Sequence, residues 1–468
     1  MSTAPTGLKN ILREVLQTKS GKIAIIILSV ILAMSLTVWI TGSEEVVKNW
    51  NEPEYWIDNP RLAAPEWVSW VTGSNAPRSI ILKPEDFRKT YSEDPLTGQA
   101  TIQLRTRFYY DYNDVPSEII LKLNVNATTR SLITLSWTKP DGSKLEAYRK
   151  DVSRGAYLIF LYTDADAVSS IKSYLSGINA SPDIAIQTVL FSSEASLKSG
   201  EPKILRSSDV NPPRPYEVII SVTSRKEGLS ASAQLDLLGK VYGIAGTDNK
   251  RRDIFIGILW GAPVALAFGL TAALIISFVQ TILGALAAFY GYRIDEVVER
   301  LTDVYLVLPF LSLLITIQFI YKTTIWTILI TVIALSIFGT ITKSTRSMVL
   351  QIKEEPYIEA AISYGASKAR ILFLYILPRV LPYTFANVTV LVPSYIFLEA
   401  SLSLLGVGDP VLPTWGKLIE EAFIGGATFY GYWWWILIPS SLIILVSMAF
   451  ALLWYSFDKI LNPRLREE

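Results

Sequence analysis

The chain has 468 residues, half of them hydrophobic, and its 43 basic residues balance 42 acidic ones. A net charge near +1 leaves no basic face for nucleic acid. The absence of both Cys and His removes disulfides, thiolate nucleophiles, the usual metal ligands and the usual neutral-pH general base, so neither a catalytic residue nor a metal site is expected.

Apolar residues are concentrated in runs. A bilayer core about 30 Å thick is crossed by roughly 20 apolar helical residues. Residues 23–40 carry no charge and predict a first transmembrane helix over 22–42, after a cytoplasmic segment 1–21. The run is of spanning length and no small-x-small site follows it, so it reads as a retained anchor rather than a cleaved signal.

Residues 43–247 are charged, aromatic and free of spanning runs. Alternation rich in Thr, Ile, Tyr and Val predicts strands over 101–110, 119–125 and 132–137, with further strands at 157–162 and 218–222 and a helix over 166–176. Pro140, Asp141 and Gly142 signal a turn between two such runs. The expectation is a β-rich extracellular domain, a sandwich with a helix or two. Asn126 and Asn179 begin N-x-[ST] glycosylation sequons. Tyr109, Tyr110 and Tyr112 read either as strand-face core packing or as a stacking surface for a sugar.

The second charge-free run, 254–292, is too long for one crossing. Gly261 and Pro263 offer a break between a short interfacial helix, 253–260, and a span over 263–290. Spans at 304–321 and 323–342 follow, joined by a tight hairpin at Lys322. The fifth, 380–405, is interrupted only by Glu399, a candidate either for the solute pathway and outer gate or for a hydrogen bond to loop 406–415. The last is 434–457, preceded by an aromatic belt at Tyr430, Tyr432, Trp433, Trp434 and Trp435. Six spans place both termini on one side. Short segments on that side carry about 15 Lys and Arg against about two opposite, so both termini are expected in the cytoplasm.

The loop 350–379 between spans four and five has a distinct pattern. Pro356 suits the first turn of a helix, with Glu354 and Glu355 at its positive end. An i, i+4 spacing puts Tyr357, Ala361, Gly365 and Ala369 on one face of a helix expected over 356–368, ending at Lys368. Small residues there would let another surface approach, with Glu359 at the edge for a charged partner. Pro378 and Pro382 would stop the apolar stretch that follows before the next span.

Glu359, Ala360, Ala361, Gly365 and then Ile376, Leu377 and Pro378 stand in the spacing E-A-A-x3-G-x10-I-L-P. This resembles the EAA loop of ABC importer permeases. Further matches are similar to the C-type permease of dipeptide and oligopeptide importers. They are Gly246-Thr247-Asp248 with Arg252-Asp253; Ile294-Asp295-Glu296 with Leu301-Thr302-Asp303 and Leu308-Pro309-Phe310; Glu399 to Gly408 with Thr414-Trp415-Gly416; and Leu461 to Arg464. The resemblance covers about 242–464. Arg251 stands where that pattern has Gly, and the family lacks a domain as large as 43–247.

The resemblance implies a type I importer fold with a five-span core over 248–468 and no enzymatic chemistry in this chain. It implies a heterodimer with a second homologous permease, two cytoplasmic ATPases that hold ATP and Mg, an extracellular solute-binding protein, and the lipid bilayer. Glu359, Ala360, Ala361, Gly365, Tyr357 and Lys368 would carry the ATPase coupling. The chain itself lacks a G-x-x-x-x-G-K-[ST] loop for nucleotide. Peptides are the expected cargo, with oligosaccharides the alternative. The rival classes are a membrane-anchored exterior enzyme using carboxylates such as Asp111, Asp114 and Glu118, and a structural or sensory membrane protein.

Overall fold

A computed structural model of the protein describes residues 15–41, 44–94, 98–225, 228–321 and 324–461. The turn at Lys322, most of segment 1–21 and the Asn462–Arg464 end of the last motif lie outside them. The chain forms two compact units, Met1–Asn51 with Ile256–Glu468, and Glu52–Phe255.

Among its described residues the Glu52–Phe255 unit has nine strands: β1 (Ile80–Leu82), β2 (Arg88–Asp94), β3 (Gln99–Phe108), β4 (Glu118–Asn126), β5 (Ser131–Thr138), β6 (Lys144–Val152), β7 (Gly155–Phe160), β8 (Tyr216–Arg225) and β9 (Ser230–Leu238). They form two antiparallel sheets, ordered β1-β9-β4-β7 and β2-β3-β8-β5-β6. Period-2 alternation explains both: Ile133, Leu135 and Trp137 of β5 and Leu121, Leu123 and Val125 of β4 are buried in one shared apolar cluster. The Asp141–Gly142 turn, with Gly142 at φ +87°, joins β5 to β6. The Ala165–Gly177 helix is N-capped by Asp164, whose carboxylate accepts from the amides of Asp166 and Ala167.

Tyr110 is buried. Its ring lies 4.3 Å from that of Phe191, within a group that includes Phe108, Trp137 and Tyr216. Tyr109 is 60% exposed, so the three tyrosines do not form one stacking surface. The candidate carboxylates are engaged as well. Asp114 pairs with Lys240 at 2.6 Å, Glu118 pairs with Arg251, and Asp111 accepts from the Ser208 amide at 2.9 Å.

Among the described residues, four helices are long and apolar enough to cross a membrane: Lys19–Val38, Ile254–Tyr290, Lys368–Leu404 and Trp433–Phe457. Two bent pairs pass the same test together, Tyr292–Val307 with Phe310–Ile320 (81°) and Ile325–Leu335 with Thr340–Lys353 (42°). The spans expected at 304–321 and 323–342 each lie across one of these bends. Pro309 holds Leu308 in extended backbone (ψ 137°), which ends the first helix. Gly339 is extended at the second bend, and the Ser336 carbonyl freed there accepts from Gln280 Nε2 at 2.7 Å.

Two expectations are corrected. Residues 254–290 form one unbroken 37-residue helix, about 55 Å long. Pro263 sits inside it, and Gly261 is no break: a Cβ there would lie 2.4 Å from Trp415 Cδ1, so the glycine admits the indole. Nor do Pro378 and Pro382 stop a helix. A π-helical turn, Ile371–Ile376, leads straight into Leu377–Leu404, with Pro382 and Pro393 inside. The wider turn accommodates the missing proline N–H.

Candidate functional site

The loop between Thr340–Lys353 and Leu377–Leu404 is built on an apolar bed. Ile358 and Ala361 of the Pro356–Ser363 helix pack with Ile371, Leu372 and Ile376 of the π turn, with Val349, and with Ala285 and Ala288 of the Ile254–Tyr290 helix. Pro356 occupies the first turn, where its missing N–H costs nothing. Tyr357 is half-buried, and the Arg379 guanidinium lies 5.0 Å from its ring centroid.

The helix is shorter than expected. It ends at Ser363, and Gly365 adopts φ +76°. The Ala366 amide donates to the Ala361 carbonyl (3.0 Å) and the Gly365 amide to the Ile362 carbonyl (2.9 Å). These two bonds form a Schellman stop, with Gly365 as the left-handed residue past the helix end. A new turn starts when the Ser367 hydroxyl accepts from the Arg370 amide, and Lys368 and Ala369 begin it, both exposed.

The outward face therefore differs from the predicted one. Ala361 points into the bed, whereas Glu359, Ala360, Ile362, Ser363 and Tyr364 are exposed, Tyr364 to 91%. A Cβ at Gly365 would meet nothing within 4 Å. The glycine is required by its backbone conformation and not by crowding within the chain.

Ion pairs fix the base of the loop. Arg346 grips Asp295 with Nε and Nη2 (2.5 and 2.7 Å) and reaches Glu299 at 2.9 Å. Lys343 pairs with Glu299 and Asp303. Lys353 Nζ donates to the Ala288 and Phe289 carbonyls, closing the end of the Ile254–Tyr290 helix. Lys343, Arg346 and Lys353 are among the roughly 15 Lys and Arg of the sided-charge pattern, which does not reveal these contacts. The signal available was spacing: Asp295 and Glu299 lie four apart and Lys343 and Arg346 three apart, each pair on one helix face.

Glu399 belongs to a second cluster. It stands 31 residues beyond Lys368 on the same continuous helix, about 46 Å away. Its side chain is buried, and Oε1 accepts from Thr414 Oγ1 (2.8 Å) and Ser403 Oγ (3.1 Å). A Cβ on Gly416 would lie 2.5 Å from Ala400 Cα and 3.2 Å from Glu399 Oε2. Trp415 Nε1 donates to the Ile258 carbonyl at 3.0 Å. Asp409 accepts the Ile325 amide at 2.9 Å and so caps the Ile325–Leu335 helix.

The Gly246–Asp253 motif forms a closed loop in the other unit. Asp248 and Arg252, both buried, pair at 2.6 Å, and Asp248 Oδ1 also accepts the Lys250 and Arg252 amides. Thr247 Oγ1 donates to the Pro60 carbonyl and accepts the Ala63 amide. Arg251 adopts φ +68°, which accounts for glycine in the family pattern at this position. Of the sequons, Asn126 ends β4 paired with Ser230, and Asn179 follows the Ala165–Gly177 helix at φ +55°; both are exposed.

Residues 280–467 match the family of binding-protein-dependent transport system inner membrane components. The oligopeptide transport system permease protein OppC of Bacillus subtilis is 32% identical over 225 residues, 47% of this chain and 72% of that protein. The dipeptide permease DppC of the same organism is 32% identical over 47% of this chain and 68% of its own length. The glutathione transport system permease protein GsiD of Pectobacterium atrosepticum is 32% identical over 47% and 72%. The loop, the Glu399 cluster and these relatives agree: the chain is a multi-pass membrane protein of the binding-protein-dependent transport system inner membrane component family.

Proposed function

We propose that this chain is one of two homologous permease subunits of an ATP-driven importer, and that its Pro356–Ser363 helix couples solute passage to a cytoplasmic ATPase. The observation that carries this reading is a short helix that buries one face in the transmembrane helices and exposes Glu359, Ala360, Ile362 and Tyr364 on the other. A large apolar side chain held 91% exposed has no folding role there and suits a groove in a partner. The bed beneath is continuous with the Ile254–Tyr290 and Leu377–Leu404 helices, so a displacement of the loop bears on both.

In this reading each bent pair is one span, giving six, with both termini cytoplasmic and the Glu52–Phe255 unit outside as a β sandwich. ATP and Mg belong to two partner ATPases, and an extracellular binding protein delivers the solute. Oligopeptides or dipeptides are the cargo favoured by the relatives, which are named for oligopeptides, dipeptides and glutathione. Glu399 holds the outer cluster together by its two hydroxyl contacts and does not select cargo.

The test is Glu359→Arg with Tyr364→Arg in the full complex reconstituted in vesicles. Solute-stimulated ATP hydrolysis and uptake should both fall at least tenfold while the subunits still copurify. Unchanged coupling in that variant rules the proposal out.

A further inference from the structure

The bent pair Ile325–Leu335 with Thr340–Lys353 is broken at residues 336–339, and its two halves are fastened to different parts of the chain. The first half begins on the Asp409 carboxylate. Oδ2 accepts the Ile325 amide at 2.9 Å, while Oδ1 accepts the Val411 and Leu412 amides of the loop that leads to Thr414, a partner of Glu399. The second half is joined by Glu354 and Glu355 to the Pro356–Ser363 helix.

One side chain holds the break. Backbone groups freed inside a membrane must find partners within the protein. Gln280 of the Ile254–Tyr290 helix is 4% exposed, and its Nε2 donates to the Ser336 carbonyl at 2.7 Å. Gly339 lies against the same amide: a Cβ there would be 2.6 Å from Nε2 and 2.9 Å from Cδ. The extended backbone of Gly339 suits any residue, so it is the packed amide that calls for glycine.

On the loop side of the break the fit is close but incompletely bonded. A Cβ at Gly284 would lie 2.3 Å from the Thr342 carbonyl oxygen and 3.0 Å from Thr345 Cβ. The hydroxyls of Thr342 and Thr345 are buried without a hydrogen-bond partner among the described residues, as is that of Ser277, one turn before Gln280 on the same helix face. Buried hydroxyls are seldom left unpaired. A contact that leaves them so in one arrangement suits a second, in which the Thr340–Lys353 half has shifted.

We propose that residues 336–339 are a hinge and that Gln280 is the positioning residue that pins it. Pinned, the two halves stand at 42°. When the loop is moved, Thr340–Lys353 pivots and the motion reaches Asp409 and the Glu399 cluster through Ile325–Leu335. The inference rests on the coupling role given above to the Pro356–Ser363 helix.

The test uses the full complex in vesicles and reads ATP hydrolysis without solute. Gln280→Met keeps the length of the side chain but cannot donate. The solute-free rate per assembled complex should rise at least threefold, which a merely structural role would not produce. The cysteine-free sequence also lets the hinge be locked. Gln280→Cys with Gly339→Cys clears the amide from the space a Cβ at 339 needs and brings two thiols within disulfide reach. Oxidation should cut hydrolysis at least tenfold below the reduced form, and reduction should restore it. An unchanged rate in Gln280→Met, or equal rates with the disulfide open and closed, overturns the hinge and leaves the loop role standing. A Glu359→Arg with Tyr364→Arg variant that still couples removes the loop role, and the hinge with it.

Discussion

Arg251 Nη2 donates to Glu118 Oε2 across 133 residues of chain, and Arg251 makes that contact from a left-handed backbone. The same guanidinium gives Nη1 to the Asn59 carbonyl at 3.0 Å and lies 5.7 Å from the Phe160 ring centroid. A non-glycine residue in this conformation costs about 1 kcal/mol. The three contacts offset it and tie the Gly246–Asp253 loop to β4 and β7.

Glu118→Ala leaves a guanidinium that is only 12% exposed without its carboxylate. The expected loss is about 3 kcal/mol of stability in the Glu52–Phe255 unit. Arg251→Gly removes the pair but also the backbone strain, so its loss should be smaller. Hydrogen exchange across β4 and β7 checks the order of the two.

Gly365→Ala should loosen the end of the Pro356–Ser363 helix by about 1 kcal/mol, because φ is positive there. Since a Cβ meets nothing, Gly365→Trp should cost the same in amide exchange over 356–363. A much larger effect of Trp than Ala on solute-stimulated ATP hydrolysis would then measure the space available to a docked partner. Equal effects on both readouts would mean that only the helix stop matters.

Gly416→Ala places a methyl group 2.5 Å from Ala400 Cα, and backbone cannot yield there without separating two packed helices. A loss of about 3 kcal/mol is expected, seen as a lower unfolding temperature in detergent. Glu399→Gln keeps a carbonyl oxygen for Thr414 and Ser403 and should lie near the wild type. Glu399→Leu takes the acceptor away from both hydroxyl protons and should cost about 2 kcal/mol more than the glutamine variant.

Lys139 is buried, donates to the Ser192 carbonyl at 2.6 Å and lies 5.7 Å from the Tyr174 ring. Burial lowers its pKa from 10.5 to about 8, against the weaker opposing pull of Asp141 and Glu194. Between these values the unfolded chain binds more protons than the folded one, so stability should rise with pH from about 8. Burial also raises the Tyr174 pKa from 10.0 to about 12, helped by Glu194 and Asp141, which makes stability fall as pH rises above about 10. The urea midpoint of the Glu52–Phe255 unit should peak near pH 10, and Lys139→Met should flatten its rising limb. A midpoint that falls steadily from pH 8 upward would contradict this.

Strands β3, β5 and β8 were legible because buried side chains alternate with more exposed ones, and β4 because its second half does the same. Strand β2 was not: every residue is exposed, so no alternation exists to detect. Hydropathy located apolar segments but not their direction. The 81° bend at Pro309 and the straight run through Pro263 look alike to a sum of side-chain polarities. The loop's spacing identified the helix at Pro356, but i, i+4 counting ran past its end. The stop lies in one left-handed glycine and two backbone bonds, and Ser367 restarting a turn was the local sign of it. The Arg251–Glu118 pair joins residues too distant for any spacing rule.

The π turn at Ile371–Ile376 gives the segment beneath the loop one surplus residue relative to a regular helix. Such a surplus acts as a slip joint. Tightening it to α geometry would turn the loop about 100° around the helix axis and push it outward along that axis by about 1.5 Å, while Val380 and everything beyond it keep their seats. A short pull on Tyr364 would then act as torque at the foot of the Leu377–Leu404 helix.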